Sequence, residues 1–226
     1  MIETPIVYTV CNMLQRSTLR MFADWRVDGL ENVPPMGPLL IVSNHHSNFD
    51  PPLLGSSFPR KIWFLAKDGL FHGPVAKWFL RSYGAFPLNR DGVDPRAFRW
   101  VLKQLRIDKP VVIFPEGTRS KTGSMNRADS GVAKLALKAQ VPLLPVGITG
   151  TERLGSWARV FNPTGKLRVN IGAPFSIPTI EGRPSEDVLQ SITDMIMQRI
   201  ACQLPESYHG VYSAGAGQES KPKTTS

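Results

Sequence analysis

The sequence predicts an α/β fold: a mostly parallel central sheet flanked by helices, with an amphipathic helix at the N-terminus. Three observations predict it. Short apolar runs alternate with segments of helical periodicity, and Gly, Pro and Asn separate them, as in strand–helix–strand units. The 226 residues, 42% hydrophobic and 20% charged, suffice for one domain with a real core and do not have the composition of a disordered chain. The two site-like segments, 44–50 and 114–120, each follow a strand-like run, where α/β folds place their sites.

Residues 5–22 read as the amphipathic helix. Pro5 suits its first turn, Ile6, Val10, Met13, Leu14 and Met21 recur on one stripe, and Asn12, Gln15, Arg16 and Arg20 lie off it. Such a helix either packs on its own domain or lies in a bilayer interface. After the breaker cluster 34–38, residues 39–42 form a buried strand. Asp50, Pro51 and Pro52 open a short helix, 62–66 are a second strand, 74–82 a helix and 85–88 an extended segment. Asp94 and Pro95 are an N-cap and N1 pair for a helix to about Arg106, with Arg96, Arg99, Lys103 and Arg106 on one face. Strands follow at 110–114, 141–148 and 167–171, and helices at 128–139 and 184–202. The domain boundaries are therefore 1–24 for the N-terminal helix, 25–204 for the central domain and 205–226 for a flexible tail rich in Gly, Ser, Lys and Thr.

The net charge is +9, and residues 60–134 carry all of that excess, with 15 Lys/Arg against 6 Asp/Glu, while the rest holds 12 of each. Such a surface attracts phosphates, anionic headgroups or nucleic acid. No RNP block or zinc finger speaks for nucleic acid. Cys11 and Cys202 stand near opposite ends with no CxxC or Cys/His cluster, so neither a disulfide framework nor a metal site is expected. No run of 18 apolar residues predicts an ordinary transmembrane helix, and the N-terminus lacks the basic region of a signal peptide.

The first site-like segment is Asn44-His45-His46-Ser47-Asn48-Phe49-Asp50. His45 and Asp50 are five apart, and a tight turn entering a helix brings them within hydrogen-bond reach. A carboxylate on one imidazole nitrogen sets the tautomer, and the other nitrogen can then take a proton from a hydroxyl. The same residues also suit a polar capping turn with Ser47 or Asn48 as N-cap. The second segment is Phe114-Pro115-Glu116-Gly117-Thr118-Arg119-Ser120. Gly117 permits close backbone approach, and Arg119 offers a planar fork for phosphate, although a surface turn with an incidental arginine would read the same way. A serine-hydrolase elbow and a P-loop are both absent.

Together these blocks resemble the 1-acylglycerol-3-phosphate acyltransferase family of glycerolipid acyltransferases. The family's N-H-x4-D motif is matched by Asn44, His45 and Asp50, and its F-P-E-G-T-R-S block by residues 114–120 in full. A block ending in Arg is matched by residues 84–90, and a V-P-x-x-P-V block by residues 141–146. The blocks occur in the family's order. The family's common two-helix membrane segment is reduced here to residues 5–22.

The resemblance implies that the chain is an O-acyltransferase. It would move a fatty acyl group from acyl-CoA or acyl carrier protein to the sn-2 hydroxyl of lysophosphatidate, giving phosphatidic acid. His45 would be the general base and Asp50 its partner. Arg119, Lys67 and Arg90 would bind the acceptor phosphate, and Glu116 and Gly117 would shape the acceptor site. No metal or redox cofactor is implied beyond the thioester co-substrate. Rival readings are the same chemistry on glycerol 3-phosphate, a lysophospholipid or an amino-lipid, or a non-catalytic basic binder of membrane or nucleic acid. A lysolipid acceptor puts the enzyme on a membrane surface with anionic lipids, peripheral or monotopic on its cytoplasmic face. There the apolar stripe of 5–22 would insert, and the basic row 96–106 would meet headgroups.

Overall fold

A computed structural model describes residues 5–89, 94–155 and 157–213. Seven strands form one sheet: β1 (Ala23–Asp28), β2 (Leu40–Ser43), β3 (Trp63–Lys67), β4 (Ala85–Leu88), β5 (Val111–Ile113), β6 (Leu143–Thr149) and β7 (Gly165–Ile171), in the order β1-β7-β6-β2-β5-β3-β4. The five strands from β6 to β4 are mutually parallel; β7 is antiparallel to β6, and β1 runs parallel to β7. β1 was not foreseen. Three of the six residues in Ala-Asp-Trp-Arg-Val-Asp are charged, but as an edge strand it alternates half-buried Ala23, Trp25 and Val27 with exposed charges.

Two layers of helices cover the sheet. α1 (Pro5–Phe22), α2 (Asp50–Ser57) and α3 (Gly73–Tyr83) lie in one layer; α4 (Pro95–Leu105), α5 (Gly131–Ala139) and α6 (Glu186–Ala201) lie in the other. α5 starts three residues later than its sequence suggests, because Ala128 is held outside the helix: its N–H donates to the Tyr212 hydroxyl at 3.0 Å. Pro145 sits inside β6 without breaking the sheet. It lies one residue beyond the β6–β7 register, which ends at Val146 and Ile171, and its carbonyl still accepts from Gly172 N–H at 2.9 Å.

α1 spans the expected residues but docks by the opposite face. Tyr8, Asn12, Gln15 and Leu19, at helical spacing, are buried against the domain. Asn12 Oδ1 accepts from the Tyr83 hydroxyl at 2.8 Å and the Ser56 hydroxyl at 3.3 Å; the Arg16 guanidinium donates to the carbonyls of Ser56 and Phe58. Gly55 permits this approach, since a Cβ there would lie 2.6 Å from the Tyr83 oxygen. Burying Leu19 completely stabilises the dock by about 2 kcal/mol. The apolar stripe therefore stays outside, with Ile6 71%, Met13 59% and Met21 72% exposed.

The basic row of Arg96, Arg99, Lys103 and Arg106 is exposed as its spacing requires, but α4 belongs to the other layer. The sheet separates that row from the α1 stripe, so the two do not form one face. Residues 205–213, expected within a flexible tail, make two 3-10 turns, Glu206–Tyr208 and Gly210–Tyr212. Two tyrosines overcome the polar composition there: Tyr208 bonds Glu152 at 2.8 Å, and Tyr212 takes the Ala128 donor. The rest of the tail lies outside the described residues.

Candidate active site

Because β2 to β6 are parallel, their C-terminal ends share one end of the sheet, and both site-like segments emerge there. β2 leads to α2 in one layer, whereas its neighbour β5 leads to α5 in the other. Adjacent strands whose connections leave on opposite faces open a crevice between them, where α/β proteins bind ligands.

Asn44 extends β2 with its side chain after the strand ends. Its Oδ1 accepts from Ile148 N–H and its Nδ2 donates to the Ile148 carbonyl, both at 2.8 Å. This amide ladder holds the following turn against β6. His45 then projects from the turn with 5% of its surface exposed. Its Nδ1 lies 2.7 Å from Asp50 Oδ2, and the same oxygen accepts the N–H groups of His46 and Ser47 at 2.7 and 2.8 Å. Asp50 is fully buried at the first turn of α2, where the helix dipole favours its charge. With Nδ1 donating to the carboxylate, His45 presents Nε2 as an acceptor, and Nε2 has no hydrogen bond among the described residues. The ring stacks on Phe114, with centroids 4.1 Å apart and planes at 18°. Neither Ser47 nor Asn48 caps α2 by its side chain.

The second segment is bolted to the first. Glu116 Oε1 accepts from His45 N–H at 3.0 Å, and Oε2 accepts from Asn126 N–H at 2.8 Å. Ser120 N–H donates to the His45 carbonyl at 2.8 Å. Burial pushes the Glu116 carboxyl up, and its two backbone donors oppose that shift. Glu116 thus joins the loops from β2 and β5 across the crevice. Gly117 (φ 67°) closes a turn in which its N–H donates to the Phe114 carbonyl at 3.0 Å. Nothing lies within 4 Å of where its Cβ would be, so the left-handed backbone requires glycine while its outer face is open.

Arg119 is exposed next to Ser120 and has no ion pair among the described residues. Lys67, also exposed, ends β3 at the same end of the sheet, two strands from β2. Arg90 falls outside the described residues. His45, Asp50 and Glu116 are therefore joined by direct bonds, and Gly117 and Arg119 belong to the loop bonded to His45.

Sequence reasoning gave no role to Phe114, Asn126 or His46. His46 is buried, accepts from Asn44 Nδ2 at 2.6 Å and packs edge-on against Tyr208, with centroids 5.5 Å apart. Burial pulls its pKa down, which favours the neutral ring that can accept from Asn44. Residue type does not separate the two rings of the doubled histidine; the match to the N-H-x4-D motif singles out His45, and the turn sends that ring to Asp50 and the His46 ring to Asn44.

A family model described as Acyltransferase matches residues 24–149. The 1-acyl-sn-glycerol-3-phosphate acyltransferase of Bacillus subtilis (strain 168) is 29% identical over 196 residues, covering 86% of this chain and 95% of that protein. The chloroplastic 1-acyl-sn-glycerol-3-phosphate acyltransferase BAT2 of Brassica napus is 36% identical over 133 residues, 57% of this chain. The chain spans only 38% of that relative's length. The crystal structure of the 1-acyl-sn-glycerophosphate acyltransferase PlsC from Thermotoga maritima superposes with a TM-score of 0.66 at 29% identity, covering 84% of this chain and 76% of that one. The matched segment holds the α/β core from β1 to the end of β6, including both loops of the crevice, and on that match the chain belongs to the acyltransferase family.

Proposed function

We propose that the chain transfers a fatty acyl group from acyl-CoA or acyl carrier protein to the sn-2 hydroxyl of 1-acyl-sn-glycerol 3-phosphate, giving phosphatidic acid for phospholipid synthesis. One observation carries this reading: a buried His45–Asp50 pair at 2.7 Å, whose Nε2 has no hydrogen bond among the described residues, on a turn bonded to the Arg119 loop. The acceptor hydroxyl gives its proton to Nε2 as its oxygen attacks the thioester carbonyl. The new C–O bond forms, the C–S bond breaks, and the departing sulfur takes the proton back from His45. Asp50 stabilises the imidazolium in between. No nucleophilic side chain is needed, because the substrate brings its own oxygen. Arg119 and Lys67, and Arg90 by the resemblance, supply charge for the acceptor phosphate, while Glu116 and Gly117 hold the loop that carries Arg119.

The acceptor resides in a bilayer, and the outward apolar stripe of α1 supports a protein seated on a membrane surface. No described helix is long and apolar enough to cross one. Soluble thioester donors place that surface on the cytoplasmic side.

The test supplies the purified protein with lysophosphatidate and each donor in turn, scored by product mass. Phosphatidic acid from wild type and none from His45→Ala is the expected result. Equal use of a phosphate-free monoacylglycerol would overturn the acceptor assignment, and no acyl transfer to any glycerolipid would overturn the activity.

A further inference from the structure

α3 is unusually bare for a helix of an α/β layer. Val75 is 75% exposed, Trp78 56% and Phe79 40%, and Leu70, in the 3-10 turn just before the helix, is 55% exposed. Val75, Trp78 and Phe79 fall at i, i+3 and i+4, so they share one face. Lys77 and Arg81 are exposed on the same helix. Inside the domain α3 contributes Ser82 and the Tyr83 ring, which meets α1 through Asn12 and Tyr8. α3 thus lies beside α1, in the same layer, and each helix shows the solvent an apolar face.

Clustered large apolar side chains mark a surface that something covers. We propose that α3, with Leu70, is a second bilayer-inserting element that works alongside α1. The inference rests on the membrane reading above and adds a place of entry for the acceptor. Trp with neighbouring Lys and Arg suits the headgroup boundary, where the ring is half immersed and the cations meet phosphates. The chain order sets the depth: Lys67 ends β3 at the catalytic end, Leu70 follows three residues later, and α3 begins at Gly73. A cation for the acceptor phosphate therefore stands next to the immersed patch. A lysolipid can present its headgroup to the site while its acyl chain stays in the bilayer beside α3.

An environment-sensitive nitrobenzoxadiazole label tests this in the full chain with Cys11→Ser and Cys202→Ser. It is attached through Ile6→Cys on α1, Val75→Cys on α3, or Val188→Cys, an exposed position on α6 in the other layer. With phosphatidylcholine vesicles containing phosphatidic acid, labels at 6 and 75 are expected to brighten severalfold and shift to the blue, and the label at 188 to stay water-like. A response at 6 without one at 75 overturns the role of α3 and leaves the membrane reading standing. A response at neither, or one at 188 alone, overturns both. A concentration-dependent response at 75 without lipid assigns the face to a second copy of the chain instead. The unlabelled variant Val75→Ser/Trp78→Ser/Phe79→Ser is expected to bind neutral vesicles on the order of 100-fold more weakly. Its turnover on a short, water-soluble lysophosphatidate should match wild type, while turnover on a vesicle-borne, long-chain acceptor falls. Wild-type vesicle binding by this variant would also overturn the proposal.

Discussion

Asp50→Asn isolates the charge of the buried pair from its geometry. An Asn carbonyl oxygen in the place of Asp50 Oδ2 can still accept from His45 Nδ1 and from the N–H groups of His46 and Ser47, so the turn persists. What disappears is the negative charge facing the imidazolium that forms during proton transfer. With charge centres about 4 Å apart and an effective dielectric of about 20, that attraction is about 4 kcal/mol. If it acts mainly in the transition state, turnover falls about 1,000-fold. Stability suffers separately. The Asn Nδ2 lands where Asp50 Oδ1 is buried without a partner, and unsatisfied donors there cost about 1–3 kcal/mol. Turnover is therefore measured by thiol release from acyl-CoA well below the melting transition, with the melt recorded in parallel. In a His45→Ala background the same substitution is expected to cost little more, because the pair acts as a unit. A folded Asp50→Asn protein within about 10-fold of wild-type turnover would refute the charge argument.

Arg119→Ala is expected to raise KM for lysophosphatidate about 10- to 100-fold, with Arg119→Lys recovering only part, since a point charge replaces a fork; an unchanged KM would remove Arg119 from the acceptor site. Glu116→Gln sets an amide NH2 against one of the two backbone donors it now serves, His45 N–H or Asn126 N–H, and a loss of about 1–3 kcal/mol is expected in denaturant unfolding. The pH dependence follows from His46. Its folded pKa lies below the ordinary 6.5, so between the two values the unfolded chain binds more protons. Stability from this group is complete above about 6.5 and falls as pH drops below it. Melts from about pH 7.5 to about 5.5 should show a steeper loss for wild type than for His46→Gln, which keeps an acceptor for Asn44 but cannot titrate; equal slopes would contradict the buried neutral ring. Replacing Ile6, Met13 and Leu14 with Ser should leave the melt within about 0.5 kcal/mol of wild type and weaken binding to neutral vesicles; lost stability would place the stripe in the core.

Period and punctuation were legible in the sequence. The strands β2, β3, β5 and β6 are apolar runs between breakers, and α4 begins where Asp94 and Pro95 say, with Asp94 accepting from Arg96 and Ala97 N–H. The His45–Asp50 pair is local: five residues of turn suffice to close it, so the spacing permits the contact, and the resemblance to the N-H-x4-D motif chooses it over a plain capping turn. The join between the two site loops could not be read that way. His45 and Glu116 are 71 positions apart, and they meet only because β2 and β5 are neighbours in the sheet. Strand order likewise sent α4 to the layer opposite α1, which no property of the basic row could reveal. Helical periodicity identified the two faces of α1 but not which one docks. Hydrophobicity alone would bury Ile6, Met13 and Met21; instead the face of Tyr8, Asn12 and Gln15 finds hydroxyl and carbonyl partners on α2, α3 and the loop at Val160. Patterns within one element follow from the residues that compose it. Which faces meet depends on polar partners that distant segments supply, and only the tertiary structure decides that.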